Sequence, residues 1–384
     1  MNYTAIAIIF GAALALSIAL FPVARMLARI FHMIDVPDGE RKIHVRPVPY
    51  LGSIMIFAGF ALGLYLYGRY FEGALHFLHS TRFGIVISLI AMYILGLADD
   101  KFDMPALLKF FLQIAVACIP LLFGISVDRL ANPFGGVVML PPVVSWIVTV
   151  FWLVALSNAM NLIDGMDGLS AGVTVISVSF IMVISALTGS NVIYPMAALL
   201  GGVLGYLIFN VPPAKIFMGD SGALFIGYAI GILSLVSNIK SSFAITLMLP
   251  VVLLLIPILD TLLSIIRRVK DQQRVFGADK RHLHHRLLAL TGNRPWRVLG
   301  IMYAACILLG LFSLIAFLMP REFTPLLLFI LCENIIFAVV LLNLFEKSRD
   351  TYTRMKQYVK DTVFGKDIGG NDAAAQPKRK KKGR

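Results

Sequence analysis

The stretch Asn158-Ala-Met-Asn161-Leu-Ile-Asp164-Gly-Met-Asp167-Gly168-Leu169 interrupts two long apolar runs, roughly 141–158 and 170–188. Its amides and carboxylates recur at every third residue, which brings them to neighbouring positions of a helix. Gly165 and Gly168 then let the helix open and let backbone come close to a ligand. Carboxylates beside so much apolar sequence are costly in a membrane unless they bind a cation or take part in chemistry. The stretch therefore reads as the polar junction between two membrane-crossing helices.

Composition extends this reading to the whole chain. Of 384 residues, 59% are hydrophobic and 14% charged, against about 45–50% and about 25% in soluble domains. Apolar segments fall at roughly 3–24, 50–68, 83–98, 106–124, 141–158, 170–188, 193–210, 222–238, 243–266, 299–319 and 323–345. The expected fold class is an all-α polytopic integral membrane protein with about 11 transmembrane helices, each close to the span length of about 20 residues. Residues 1–345 form one transmembrane domain in this reading, and 346–384 form a basic tail that loses apolar periodicity and is expected to be disordered after about 365. No basic residue precedes the first span while Arg25 and Arg29 follow it, the reverse of a cleaved signal. Cys118, Cys306 and Cys332 lie far apart inside apolar runs, so buried inert thiols are expected rather than a disulfide framework or a zinc site.

Charge sets the orientation. With the N-terminus outside, the inner loops and tail hold 29 of the 34 Lys and Arg, and the bias persists at 17 to 5 without the tail. Basic residues mark the cytoplasmic side, so the C-terminus is expected there. Topology thus accounts for the net charge of +13, and nucleic acid is not an expected partner. The cytoplasmic loops are then 25–49, 99–109, 158–169, 210–222 and 267–298. Asp99-Asp100, Asp164 with Asp167, and Asp220 fall in three of them, whereas the outer side holds only Glu72, Asp128 and Glu322. Carboxylates converging on one face suit Mg²⁺, or Mn²⁺, together with a phosphate substrate. Gly219 and Gly222 flank Asp220, and Phe217 nearby offers a ring for a nucleobase. The loop 267–298 carries Arg267, Arg281 and His282-Leu-His284-His285 among further Lys and Arg, a set suited to phosphate or sugar oxygens.

Together these residues resemble the polyprenyl-phosphate N-acetylhexosamine-1-phosphate transferases. The resemblance rests on Asp99-Asp100, on Asn158-x-x-Asn161-x-x-Asp164-Gly-x-Asp167-Gly168-Leu, on Asn210 through Gly219-Asp220-Ser-Gly222, and on His282-x-His284-His285, and it runs from about 35 to 290. It implies transfer of a sugar-1-phosphate from a UDP-N-acetylhexosamine to undecaprenyl phosphate in the membrane, with release of UMP and a need for Mg²⁺. It implies that Asp220 and Asn161 hold the metal, and that Asp99 and Asp100 serve the lipid phosphate, with Asp99 the suggested base. Asp164 and Asp167 would shape the nucleotide and metal site. Phe217 would stack on uracil near Asn210, and Asn158, Lys42 and His44 join the substrate-binding set. Arg267, Arg281, His282, His284 and His285 would contact sugar and pyrophosphate.

The loop Ala278-Asp279-Lys280-Arg281-His282 looks like the branch that uses UDP-N-acetylglucosamine rather than the muramyl-pentapeptide branch. That branch opens teichoic acid, O-antigen or other surface glycopolymers. Ala278 stands where it commonly has Pro, and Gly52-Ser53 where a Gly-Gly is usual. An aromatic-acceptor prenyltransferase would need Asp-x-x-x-Asp in two loops, which Asp220 does not supply. A transporter would carry acids at mid-membrane, where Asp260 is the one candidate. The oligomeric state, a homodimer included, is not fixed by the sequence.

Overall fold

The computed structural model describes residues 1–35, 47–70, 81–131, 136–236, 287–288, 290–292, 294–323, 325–327, 329–330 and 333. The span expected at 243–266, most of 323–345, Asp260 and the tail lie outside them. The chain divides into Met1–Glu322 and Phe323–Arg384, and the first unit is described below.

Its helices are α1 (Tyr3–Ala19), α2 (Phe21–Ile30), α3 (Ser53–Tyr70), α4 (Thr81–Phe102), α5 (Ala106–Leu122), α6 (Pro142–Ile163), α7 (Leu169–Thr188), α8 (Ile193–Asn210), α9 (Gly219–Val236) and α10 (Pro295–Leu318). Among the described residues six of these are long and apolar enough to cross a membrane, or seven if α1 and α2 are one span. The chain is a multi-pass helical membrane protein, as its composition implies.

The helix ends follow local chemistry. Pro22 cannot donate to the carbonyl four residues back, and the first span bends by 43° between α1 and α2. Asp103 adopts positive φ and Pro105 follows, so α4 stops and α5 begins. α8 ends at Asn210 before Pro212-Pro213. Two short antiparallel pairs depart from an all-α fold: β1 (Ile34–Asp35) with β2 (Val48–Pro49), and β3 (Arg129–Ala131) with β4 (Val137–Met139). Two or three residues per strand leave no alternation to read in a sequence.

α8 and α9 are the most enclosed of the candidate spans and α10 the least. α1 and α3 pack on α8, α4 and α6 on α9, and α7 on both α8 and α10. Lipid tails offer helices no hydrophobic drive to associate, so close approach through small residues matters. α8 supplies it with Gly201 and Gly205, whose added Cβ atoms would strike the α1 backbone or Ser17. Ser17 donates across the same seam to the Gly202 carbonyl at 2.8 Å. Phe57, Tyr93 and Phe225 close a second seam between α3, α4 and α9, with Phe57 and Tyr93 stacked at 4.1 Å. From α3 to α9 successive helices alternate in direction. The C-terminal ends of α4, α6 and α8 therefore meet the N-terminal ends of α3, α5, α7 and α9, and the acidic residues gather there.

Candidate active site

Four side chains from four helices meet at this end. Lys109, in the first turn of α5, pairs with Asp99 Oδ2 of α4 at 2.7 Å and with Asp220 Oδ2 of α9. It also donates to Asn161 Oδ1 of α6 at 3.4 Å, and Asn161 Nδ2 donates to Asp220 Oδ1 at 2.8 Å. Asp99 Oδ1 accepts the Met104 N–H at 3.1 Å, which ties the α4–α5 turn to the cluster. The Asp99 side chain is 8% exposed and that of Asp220 39%, so the cluster opens toward a ligand on the Asp220 side.

Asp100, the neighbour of Asp99, faces another way. Its carboxylate accepts Asp220 N–H at 2.7 Å, Ser221 N–H at 3.0 Å and the Ser221 hydroxyl at 2.5 Å. The first N–H groups of a helix have no partner within it, so Asp100 caps α9 from α4. Two glycines admit this approach. Gly219 has φ +71° and its Cβ would sit against the Asp100 carboxylate, while a Cβ on Gly96 would strike the Ser221 backbone.

The turn between α6 and α7 is held from three sides. Gly168, at φ +76°, donates its N–H to Asn210 Oδ1 at 2.8 Å and accepts from the Tyr303 hydroxyl of α10 at 2.6 Å. Buried Asn210 donates in turn to the Ile216 carbonyl at 2.9 Å, and Asp167 Oδ2 accepts the Ala214 N–H at 2.9 Å. Asn210 and Asp167 thus bind the 164–168 turn to the 211–218 loop. Asp164, just past the end of α6, has its carboxyl pushed well above the usual range by burial, and then by the charges of Asp220, Asp100 and Asp167.

The 211–218 loop is also strapped to the segment before α3. Phe217 N–H donates to the Pro49 carbonyl and the Gly52 N–H to the Phe217 carbonyl, both at 2.8 Å. This fixes the Phe217 backbone and leaves its ring half-buried. Asn158 sits one turn deeper than Asn161 and donates to Gln113 Oε1 at 2.6 Å and to the Val154 carbonyl at 2.8 Å. Asp99, Asp220 and Asn161 are thus brought together, with Asp100 and Asp164 adjoining. Asn158, Asn210 and Asp167 surround them as supports. Lys42, His44, Arg267, Arg281, His282, His284 and His285 lie outside the described residues.

Lys109, Ser221 and Tyr303 were not among the residues singled out in the sequence. Lys109 left one signal there. It shares the otherwise apolar α5 with Gln113 four residues on, and two polar residues at that spacing lie on one helix face.

A divalent metal was expected at Asp220 and Asn161. Among the described residues no three His, Cys, Asp or Glu form a metal cage. The donors here are two carboxylate oxygens and an amide oxygen, which converge on one cationic nitrogen. An all-oxygen set with one or two carboxylates suits Mg²⁺, whose remaining positions go to water and substrate phosphate. The residues fit the ion, with Asp220, Asn161 and Asp99 the ones able to hold it.

The family model for glycosyl transferase family 4 matches residues 82–238, which carry Asp99 through Asp220. A probable undecaprenyl-phosphate N-acetylglucosaminyl 1-phosphate transferase of Bacillus subtilis is 35% identical over 338 residues, 88% of this chain and 91% of that protein. A decaprenyl-phosphate N-acetylglucosaminephosphotransferase of Mycolicibacterium smegmatis is 35% identical over 302 residues, 73% of this chain and 74% of its own. The undecaprenyl-phosphate alpha-N-acetylglucosaminyl 1-phosphate transferase of Escherichia coli K12 is 26% identical over 316 residues, 80% and 83% of the two chains. With relatives matched over 74–91% of their own length, and the polar cluster at one end of the bundle, the chain belongs to glycosyl transferase family 4, among its polyprenyl-phosphate N-acetylhexosamine-1-phosphate transferases.

Proposed function

We propose that this chain transfers N-acetylglucosamine-1-phosphate from UDP-N-acetylglucosamine to undecaprenyl phosphate, releases UMP, requires Mg²⁺ and works at the cytoplasmic face. The observation that carries the reading is the Lys109–Asp99–Asp220–Asn161 cluster at the common end of the helices, in a chain whose relatives bear that activity in their names. Its position supports a reaction between a lipid phosphate at the bilayer surface and a soluble nucleotide.

The chemistry asks for positioning and charge more than for a base. Phosphoryl transfer spreads negative charge over oxygens, and fixed cations offset it. The acceptor phosphate is largely ionised near neutral pH, its second pKa being about 6, so it attacks without a strong base. Asp99 is spent on Lys109 and the Met104 N–H, which favours a positioning role for it over proton removal. Lys109 holds a positive charge among the oxygens of Asp99, Asp220 and Asn161, on a flexible stem able to turn toward a phosphate. Asp220 and Asn161 would hold Mg²⁺, which when bound neutralises pyrophosphate oxygens. Phe217, fixed by Pro49 and Gly52, would present its ring to uracil.

The test is turnover of purified protein in detergent with undecaprenyl phosphate and Mg²⁺, followed as UMP release. UDP-N-acetylglucosamine and UDP-N-acetylmuramyl-pentapeptide are offered separately. Turnover with the first alone is expected. Turnover with the second alone would overturn the sugar, and turnover with neither the reaction.

A further inference from the structure

The acid that caps α9 is itself held by hydroxyls from two other helices. Ser221 Oγ lies 2.5 Å from Asp100 Oδ2 and 2.7 Å from the hydroxyl of Ser53, the first residue of α3. Ser53 and Ser221 are fully buried. With Asp100 ionised and acceptor-only, the Ser221 proton goes to Asp100 and the Ser53 proton is left to go to Ser221. Hydrogen bonds aligned in one direction polarise and strengthen one another where water is excluded.

This line ends on the group that frees Asp220. An acid in the first turn of a helix ordinarily serves that helix's own N–H groups. Here Asp100 takes the Asp220 and Ser221 N–H groups, and the Asp220 carboxylate turns outward to Asn161 and Lys109. We propose that Ser53 and Ser221 form a two-membered hydroxyl train that fixes Asp100 as the cap of α9, and that Ser53 is thereby a positioning residue for the Asp220 carboxylate. A glycine at position 53 would end the train at Ser221. The inference rests on the reading of Asp220 as the residue that holds the metal.

The experiment compares Ser53→Ala and Asp220→Asn with the unaltered full-length protein in detergent. It has two readouts that need no turnover. Mn²⁺ affinity is followed by electron paramagnetic resonance, and amide hydrogen exchange is followed in the peptide covering 217–224. Ser53→Ala is expected to weaken Mn²⁺ binding about 10-fold, the size of one buried hydrogen bond of about 1.4 kcal/mol. It should also speed exchange of the Asp220 and Ser221 amides without changing that of α7. Unchanged exchange and unchanged Mn²⁺ affinity in Ser53→Ala, with Mn²⁺ binding lost in Asp220→Asn, would overturn the train and leave the metal reading standing. Full Mn²⁺ binding in Asp220→Asn would overturn the metal reading, and faster exchange at 220–221 in Ser53→Ala would still support the cap.

Discussion

Lys109 is the residue on which two acids depend. Asp99 and Asp220 both direct an oxygen to its ammonium, and without it two carboxylates would face each other at the edge of an apolar bundle. Lys109→Met keeps the stem and removes the charge. It is expected to lower kcat by roughly 10²–10³, the scale of losing one fixed group that meets developing negative charge, with smaller changes in KM; UMP-release kinetics check this. Asp164 makes a prediction of opposite sign. Its folded-state pKa is raised, so between the unfolded value, about 3.9, and the folded one the native protein binds the extra proton. Stability therefore falls as pH rises through that window. Asp164→Asn, which cannot ionise, should melt like the unaltered protein near pH 4 and at higher temperature toward pH 8. Melting curves in detergent that stay parallel across that range would contradict the assignment.

At the scale of elements, the site is a set of helix ends, and its accuracy is that of the crossings behind it. The α4–α9 crossing is a close one, because Gly96 leaves no room for a Cβ against the Ser221 backbone. Gly96→Ala should push the start of α9 away from Asp100. Overpacking of this kind costs about 1–3 kcal/mol, so a lowered melting temperature is expected together with reduced Mg²⁺-dependent turnover. The same crossing separates what could be read from the sequence and what could not. Asn158, Asn161, Asp164 and Asp167 lie within one stretch whose period of three is visible along the chain. The α6 end, the turn and the α7 start follow from that period and from Gly165 and Gly168. Lys109 reaches partners 52 and 111 residues away, and no local period encodes such a meeting. The division of labour between Asp99 and Asp100 was equally hidden. Adjacent residues on a helix point about 100° apart, and only the packing of α5 and α9 decides which partner each finds. The bend at Pro22 could be read only as a weak spot in a long apolar run.

For the whole molecule, the remaining question is which end of the bundle faces which compartment. Charge favours the site end as cytoplasmic, since it receives Lys101, Lys109 and Lys215, whereas Arg129 sits on the β3–β4 hairpin at the opposite end. Basic residues resist translocation, and a nucleotide-sugar donor and its UMP product are cytoplasmic solutes in this reading. The opposite orientation would present the acidic cluster to the wrong solution, and no change at the site could then make it useful. Two exposed positions separate the cases. In a background with Cys118, Cys306 and Cys332 replaced by serine, Lys215→Cys and Arg129→Cys are each treated with a membrane-impermeant maleimide in intact cells and in opened vesicles. Arg129→Cys should label in intact cells, and Lys215→Cys only once the cytoplasmic side is opened. The reverse pattern would turn the bundle over and would remove the cytoplasmic assignment of Asp99, Asn161 and Asp220 together, because their shared hydrogen bonds oblige them to lie on one side.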